Sequence, residues 1–132
     1  MLLGEWVDQL FTKVFFQPDD DLSTKTMESH FSRDLKVRVN GVPLDYDKYK
    51  SAILNGRAQN LYSIQSNQEL LSSHDGIETV GSGGSVAHIS TYTEMDKKTR
   101  LEKQQSTVTL ATVAVLDGKK VLIELVEVQR DA

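Results

Sequence analysis

The chain has no cysteine. That excludes a disulfide framework, a thiolate nucleophile and any zinc site built on sulfur. It also lacks a long apolar run: none reaches the roughly 18–20 residues that a membrane-crossing helix needs. Its 15 basic residues are outnumbered by 19 acidic ones, for a net charge of −4. The basic residues are scattered, and nothing resembles the basic stripe that a phosphate backbone demands. Neither nucleic acid nor a membrane is an expected partner. The leading MLLGEWVDQLF has no basic n-region and carries Glu5 and Asp8, so no signal peptide is expected and a cytoplasmic protein is the default. The three histidines, His30, His74 and His88, show no helical metal spacing. The run Asp19-Asp20-Asp21 lacks the alternation of a calcium loop and reads as a hydrated turn. No metal and no cofactor is expected.

What is present fits one domain over residues 1–132, with 39% hydrophobic and 26% charged residues. Leu3, Trp6, Val7, Leu10, Phe11, Val14 and Phe15 recur at helical spacing and predict an amphipathic helix over about 2–16. Pro18 and the three aspartates end it. A shorter helix is expected over 24–31, capped by Ser23 or Thr24, with Met27, His30 and Phe31 inward. Leu35 to Val39 alternates apolar and basic residues, as a half-buried strand does. Asn40-Gly41 signals a tight hairpin, and Pro43 keeps the return strand short. Asp45 caps a third helix reaching about Arg57, with Tyr46, Tyr49, Ala52 and Ile53 on one stripe and Asn55-Gly56 as its stop.

From Leu61 the period changes from 3.6 to 2. Strands are expected at about 61–73, 84–95, 104–116 and 120–129. Between them lie His74-Asp75-Gly76, a glycine-rich stretch over 81–84, the charged tip Asp96 to Arg100, and Asp117-Gly118. Residues 77–80 could open the second long strand, with the glycines as a bulge that lets the sheet curve. The glycine stretch lacks the lysine and the strand-to-helix setting of a phosphate loop. Helices first and sheet after means helices on one face of the sheet. Both faces of the last two strands are apolar. One face of the first carries Val108, Leu110 and Leu116, and the other Val113 and Val115. In the last strand Val121, Ile123 and Leu125 oppose Leu122, Val126 and Val128. Helices cover one face only, so a homodimer through the sheet is expected, with Val113, Val115, Ile123 and Val126 at the interface.

The element order, the segment from His30 to Gly41, the run Leu44-Asp-Tyr-Asp-Lys-Tyr49 and the closing Val-Leu-Asp-Gly-Lys-Lys-Val121 together resemble the nuclear-transport-factor-2-like (NTF2-like) superfamily, specifically SnoaL-like proteins. The resemblance implies an α+β cone, three helices on a strongly curved and mainly antiparallel sheet, often dimeric, with a pocket between helices and sheet. It implies a hydrophobic small molecule as the partner. Members include ketosteroid isomerases, polyketide cyclases and scytalone dehydratase. The isomerase pattern requires two carboxylates. The matching stretches here, Val37 to Asn40 and Ala111-Thr112, contain none. A dehydratase-like or cyclase-like proton transfer needs histidine and tyrosine at the pocket. His88 shares a strand face with Val86, Ser90, Tyr92 and Glu94, so His88 and Tyr92 are the candidate catalytic pair. Tyr49, Tyr62, Trp6 and Phe11 are the candidate ligand contacts. The expected function is small-molecule binding in a cone. The alternatives are a cyclase, isomerase or dehydratase acting on a polyketide-like substrate, and a non-catalytic dimeric module.

Overall fold

The computed structural model describes residues 1–74 and 83–132. The elements run α1 (Leu3–Phe15), α2 (Asp20–His30), β1 (Phe31–Val39), β2 (Val42–Leu44), α3 (Tyr46–Gln59), β3 (Asn60–His74), β4 (Gly84–Asp96), β5 (Glu102–Leu116) and β6 (Lys119–Asp131). Six strands form one sheet in the order β2-β1-β6-β5-β4-β3. Every pairing is antiparallel except β1 with β6, which is parallel. The three helices lie on one face of this curved sheet, so the α+β cone expected from the element order is the observed architecture. Residues 77–80, and 81 and 82 of the glycine stretch, fall outside the described residues. Among the described residues no helix is long and apolar enough to cross a membrane.

The hairpins follow their sequences. Asn40 and Gly41 have φ of 50° and 81°, and Asp117 and Gly118 have 52° and 74°. Such turns match the right-handed twist of the strands they join. Asp96 organises the charged β4–β5 tip by accepting from the backbone N–H groups of Lys98 at 2.8 Å and Thr99 at 2.9 Å. Those bonds hold its carboxyl below the usual carboxylate range.

Four expectations are corrected. The aspartates do not form a free turn. Asp19 caps α2, its Oδ1 accepting from the N–H groups of Asp21 at 3.0 Å and Leu22 at 3.1 Å. Asp20 and Asp21 fill the first turn, where the positive end of the helix favours them. Ser23 is buried instead of capping, and its hydroxyl donates to the Val14 carbonyl at 2.7 Å, tying α2 to α1. The first strand starts at Phe31, four residues early, because buried Phe31 already pairs with Leu122 before an irregularity passes the register on to Lys36 and Glu124. In the last strand strict alternation fails. Thr112 pairs Glu124 while Val113 pairs Leu122, so Ile123 is an extra residue, and Leu122 and Leu125 both reach the core.

The core sits between the Leu3, Val7, Leu10 and Val14 stripe of α1, Met27, Phe31, and the inner residues Val37, Val86, Ala111, Val113, Leu122 and Leu125 of the sheet. Val113 is 1% exposed and belongs to this core. It shares the inward parity of Ala111 and is therefore unavailable to an outer-face dimer contact. Val115 has the same inward parity at the strand's end, and Ile123 occupies the bulge. Of the four interface candidates only Val126 lies in the outward rows, opposite Leu110.

Candidate functional site

The core fills only one end of the cone. Toward the other end the α1 stripe turns from aliphatic to aromatic, and the facing strand positions become polar. A cavity of about 320 Å³ opens there, between α1, α3 and the inner faces of β3 to β6. Phe11, Tyr49, Tyr62, His88 and Tyr92 all line it. Trp6 does not. It lies edge-on to the His30 ring at 5.7 Å, on the α2 side of α1. About two helical turns bring Asp8, Phe11, Thr12 and Phe15 to the cavity as an i, i+3, i+4, i+7 stripe beside the aliphatic one.

The aromatic rings form a continuous arc. Centroid separations are 6.1 Å for Phe11 and Phe15, 6.4 Å for Phe15 and Tyr62, 6.0 Å for Tyr62 and Tyr92, and 5.7 Å for Tyr92 and Phe16. The Phe15–Tyr62 and Tyr62–Tyr92 contacts are edge-to-face, the arrangement that ring quadrupoles favour. Tyr62 and Tyr92 are brought together by strand pairing: Ile64 opposes Tyr92, and Tyr62 opposes Glu94.

Two polar groups interrupt the apolar wall. On one side His88 Nδ1 lies 3.1 Å from Asp8 Oδ1. The same oxygen accepts from Asn67 Nδ2 at 2.7 Å, and Asn67 Oδ1 accepts from Ser90 Oγ at 2.8 Å. His88 is 3% exposed, and its Nε2 is buried without a hydrogen-bond partner. Since a carboxylate only accepts, Nδ1 carries the proton in the neutral ring and Nε2 keeps a free lone pair.

On the other side Tyr49 donates its hydroxyl to Glu127 Oε1 at 3.0 Å, and Gln129 Nε2 donates to Oε2 at 2.6 Å. Glu127 is buried, and no ion pair among the described residues includes it. Burial pushes its carboxyl above the ordinary value, with the Tyr49 and Gln129 hydrogen bonds holding it back. Burial also pushes the Tyr49 phenol well up, with the Glu127 charge adding to it. The Tyr92 phenol rises to about 12, first through burial and then through the Glu127 and Glu94 carboxylates. The nearby Thr107 hydroxyl offsets part of that rise, by more than either carboxylate adds, although its contact with Tyr92 falls short of a well-formed hydrogen bond. Tyr62 rises through burial and Glu94. These phenols stay protonated near neutral pH and act as hydrogen-bond donors.

Asp8, Asn67, Glu127 and Gln129 were not among the sequence candidates. Asp8 sits four residues before Thr12 on the aromatic side of α1. Glu127 is in phase with Leu125, which is the one signal that an acid in a valine-rich strand faces inward.

No protein-family model and no curated protein matches the sequence. The likeness is to solved structures. A ketosteroid isomerase-like protein from Erwinia carotovora atroseptica superposes with a TM-score of 0.69 at 12% identity, covering 95% of this chain and 92% of that one. A putative scytalone dehydratase from Novosphingobium aromaticivorans gives 0.66 at 15% identity, covering 98% and 83%. An NTF2-like protein from Cytophaga hutchinsonii gives 0.57 at 11% identity, covering 97% and 98%. The fold is therefore NTF2-like, as the sequence resemblance implied.

Proposed function

We propose, from the NTF2-like cone as premise, that this is a SnoaL-like protein that binds a small molecule between its helices and its sheet. The observation that carries this reading is the cavity of about 320 Å³, lined by an aromatic arc and entered by two polar groups. That volume falls within the range of small-molecule sites, and so does the mix of apolar wall with few polar groups. Nile red, a neutral apolar dye, tests it. Its fluorescence should rise with the wild-type protein, and Thr109→Phe, which fills the cavity from β5, should remove the rise. No rise, or an equal rise in the filled variant, would overturn the reading.

A second reading is favoured by one observation, the His88–Asp8 pair. Asp8 fixes the imidazole so that Nε2 is the atom left to take a proton, and Tyr92 and Tyr49 could donate to an oxygen that gains charge. This supports proton transfer of the cyclase, isomerase or dehydratase kind on a hydrophobic, polyketide-like substrate. Turnover lost in both His88→Gln and Asp8→Asn, with dye binding retained, would support it. Turnover surviving His88→Gln would overturn it.

The outer face of the sheet supports a homodimer. One row runs Leu71, Ala87, Leu110, Val126 across four strands, and the next carries Ile89, Val108 and Val128. Leu71 is 73% and Val128 62% exposed in the single chain. A two-fold contact places such a patch against itself, apolar on apolar. Light scattering should report a dimer for the wild type and a monomer for Val128→Glu. A wild type that is monomeric would end this reading.

A further inference from the structure

We infer that the ligand of this cavity is an organic cation, an ammonium group carried on an aromatic or aliphatic body. The inference rests on the small-molecule reading above and names the class of molecule that the site selects. Its first ground is the charge of the wall. Asp8, Glu94 and Glu127 line the cavity, and among the described lining residues there is no lysine and no arginine. Glu94 is bridged by Lys103 from outside at 3.3 Å, and Asp8 is paired with His88. Among the described residues Glu127 has no cationic partner, and the groups that donate to it, Tyr49 and Gln129, are neutral. A buried carboxylate without a counter-charge is costly, and a ligand cation relieves that cost.

The second ground is independent of the carboxylates. Phe11, Phe15, Tyr62, Tyr92 and Phe16 form an unbroken arc in the same wall. Ring faces carry negative potential and attract alkylated ammonium groups, whose apolar shell suits a dry site. The third ground is the pair of unpartnered atoms, His88 Nε2 and Thr107 Oγ1, both on residues more than nine-tenths buried in the cavity wall. Both can accept a hydrogen bond, as an ammonium N–H requires. The upward displacement of Tyr62, Tyr92 and Tyr49 partly reflects the same negative surroundings. An anionic ligand would meet this field without a fixed positive charge to receive it, since no lysine or arginine is among the described lining residues.

Three probes of one shape decide the matter by calorimetry on the full chain near pH 7: naphthylmethylammonium, naphthylmethanol and naphthoate. The ammonium should bind about tenfold or more tightly than the alcohol, and the naphthoate most weakly. Glu127→Gln should erase the ammonium's advantage, lowering its affinity about tenfold and the alcohol's far less, and the remaining alcohol binding also shows that the variant is folded. An alcohol or naphthoate that binds as tightly as the ammonium overturns the inference and leaves the small-molecule reading intact. Binding of none of the three overturns both.

Discussion

Tyr49 on α3 and Glu127 on β6 meet across 78 residues of sequence, the phenol donating to the carboxyl at 3.0 Å inside the cone. The contact ties a helix to the last strand and places an acid where water is scarce. Its consequence is a definite pH dependence of stability. Because burial raises the folded-state value of Glu127 above its unfolded one, the folded protein holds the extra proton in the window between them. The contribution of Glu127 is then most favourable below the ordinary glutamate value. It falls as pH rises toward the folded-state value and stays low above it. Glu127→Gln removes that slope, and its amide can still serve Tyr49. Thermal denaturation should show Tm of the variant gaining on the wild type as pH rises above the ordinary glutamate value. A difference that is constant or shrinks with that rise would show that burial does not dominate at Glu127.

Arg57 should be the most costly polar residue to remove. Its guanidinium is 4% exposed and reaches four acceptors: Asp20 Oδ1 at 2.8 Å, and the carbonyls of Val14 at 3.0 Å, Phe15 at 3.3 Å and Gln17 at 2.8 Å. Those carbonyls belong to the end of α1, so an arginine from α3 caps it. Arg57→Met removes the guanidinium from all three, with only Val14 keeping the Ser23 hydroxyl as a side-chain donor among the described residues, and urea denaturation should show a loss of about 2–4 kcal/mol. Arg57→Lys should recover little, since one ammonium cannot span the fork. Asp20 is largely exposed, and Asp20→Asn should cost less than about 1 kcal/mol. A larger effect at Asp20 than at Arg57 would show that the ion pair, not the cap, holds this corner.

Much of this architecture was legible beforehand because it rests on local signals. The α1 stripe, the Asn40-Gly41 and Asp117-Gly118 turns, the Asp45 cap and the change of period after Leu61 each carry their own physics over a few residues. The misreadings share a cause as well. Asp19 to Asp21 read as solvated because aspartates favour turns, yet the same oxygen chemistry makes Asp19 a cap. Ile123 is one extra residue that reverses the faces on either side of it, and no alternation rule foresees a bulge. The early start of β1 depends on a parallel partner more than 80 residues away. In the cavity, Tyr49, Tyr62, Tyr92 and His88 were recognisable as residue types able to do chemistry. Asp8 and Glu127 were not, because a lone acid reads as solvent-facing until tertiary packing closes over it.

Two glycines should respond to alanine in opposite directions. At Gly84, φ is 142°, and an added Cβ would lie 2.1 Å from the Ser73 carbonyl oxygen and 2.9 Å from His74 Cα. Both neighbours are backbone atoms in the paired strand and cannot step aside, so Gly84→Ala should cost about 2 kcal/mol or more. At Gly4 the clash is with the Glu69 carboxylate, the far end of a flexible and exposed side chain. It can swing away, and alanine is the better helix former by up to about 1 kcal/mol. Gly4→Ala should therefore raise Tm while Gly84→Ala lowers it. Destabilisation at Gly4 would show that Glu69 is held in place.

The state of His88 follows from Asp8, and it can be checked without any substrate. In the wild type Asp8 offers His88 only lone pairs, so the neutral ring carries its proton on Nδ1 and long-range nitrogen–proton NMR should show Nε2 as the bare nitrogen. In Asp8→Asn the new amide must still satisfy Asn67, whose Nδ2 donates to position 8 at 2.7 Å. His88 Nδ1 and Asn67 Nδ2 both meet the same Asp8 oxygen, so the amide oxygen can stand there and accept from both. The tautomer is therefore kept, and what the variant removes is the negative charge facing the ring. Stability should change little, because the Asp8 side chain is 43% exposed. Any proton-accepting role of Nε2 should largely disappear, because an imidazolium formed there would no longer face a carboxylate, even though the imidazole has not moved. A wild-type protein already protonated on Nε2 would separate Asp8 from the orientation of His88 and leave the pair without a chemical task.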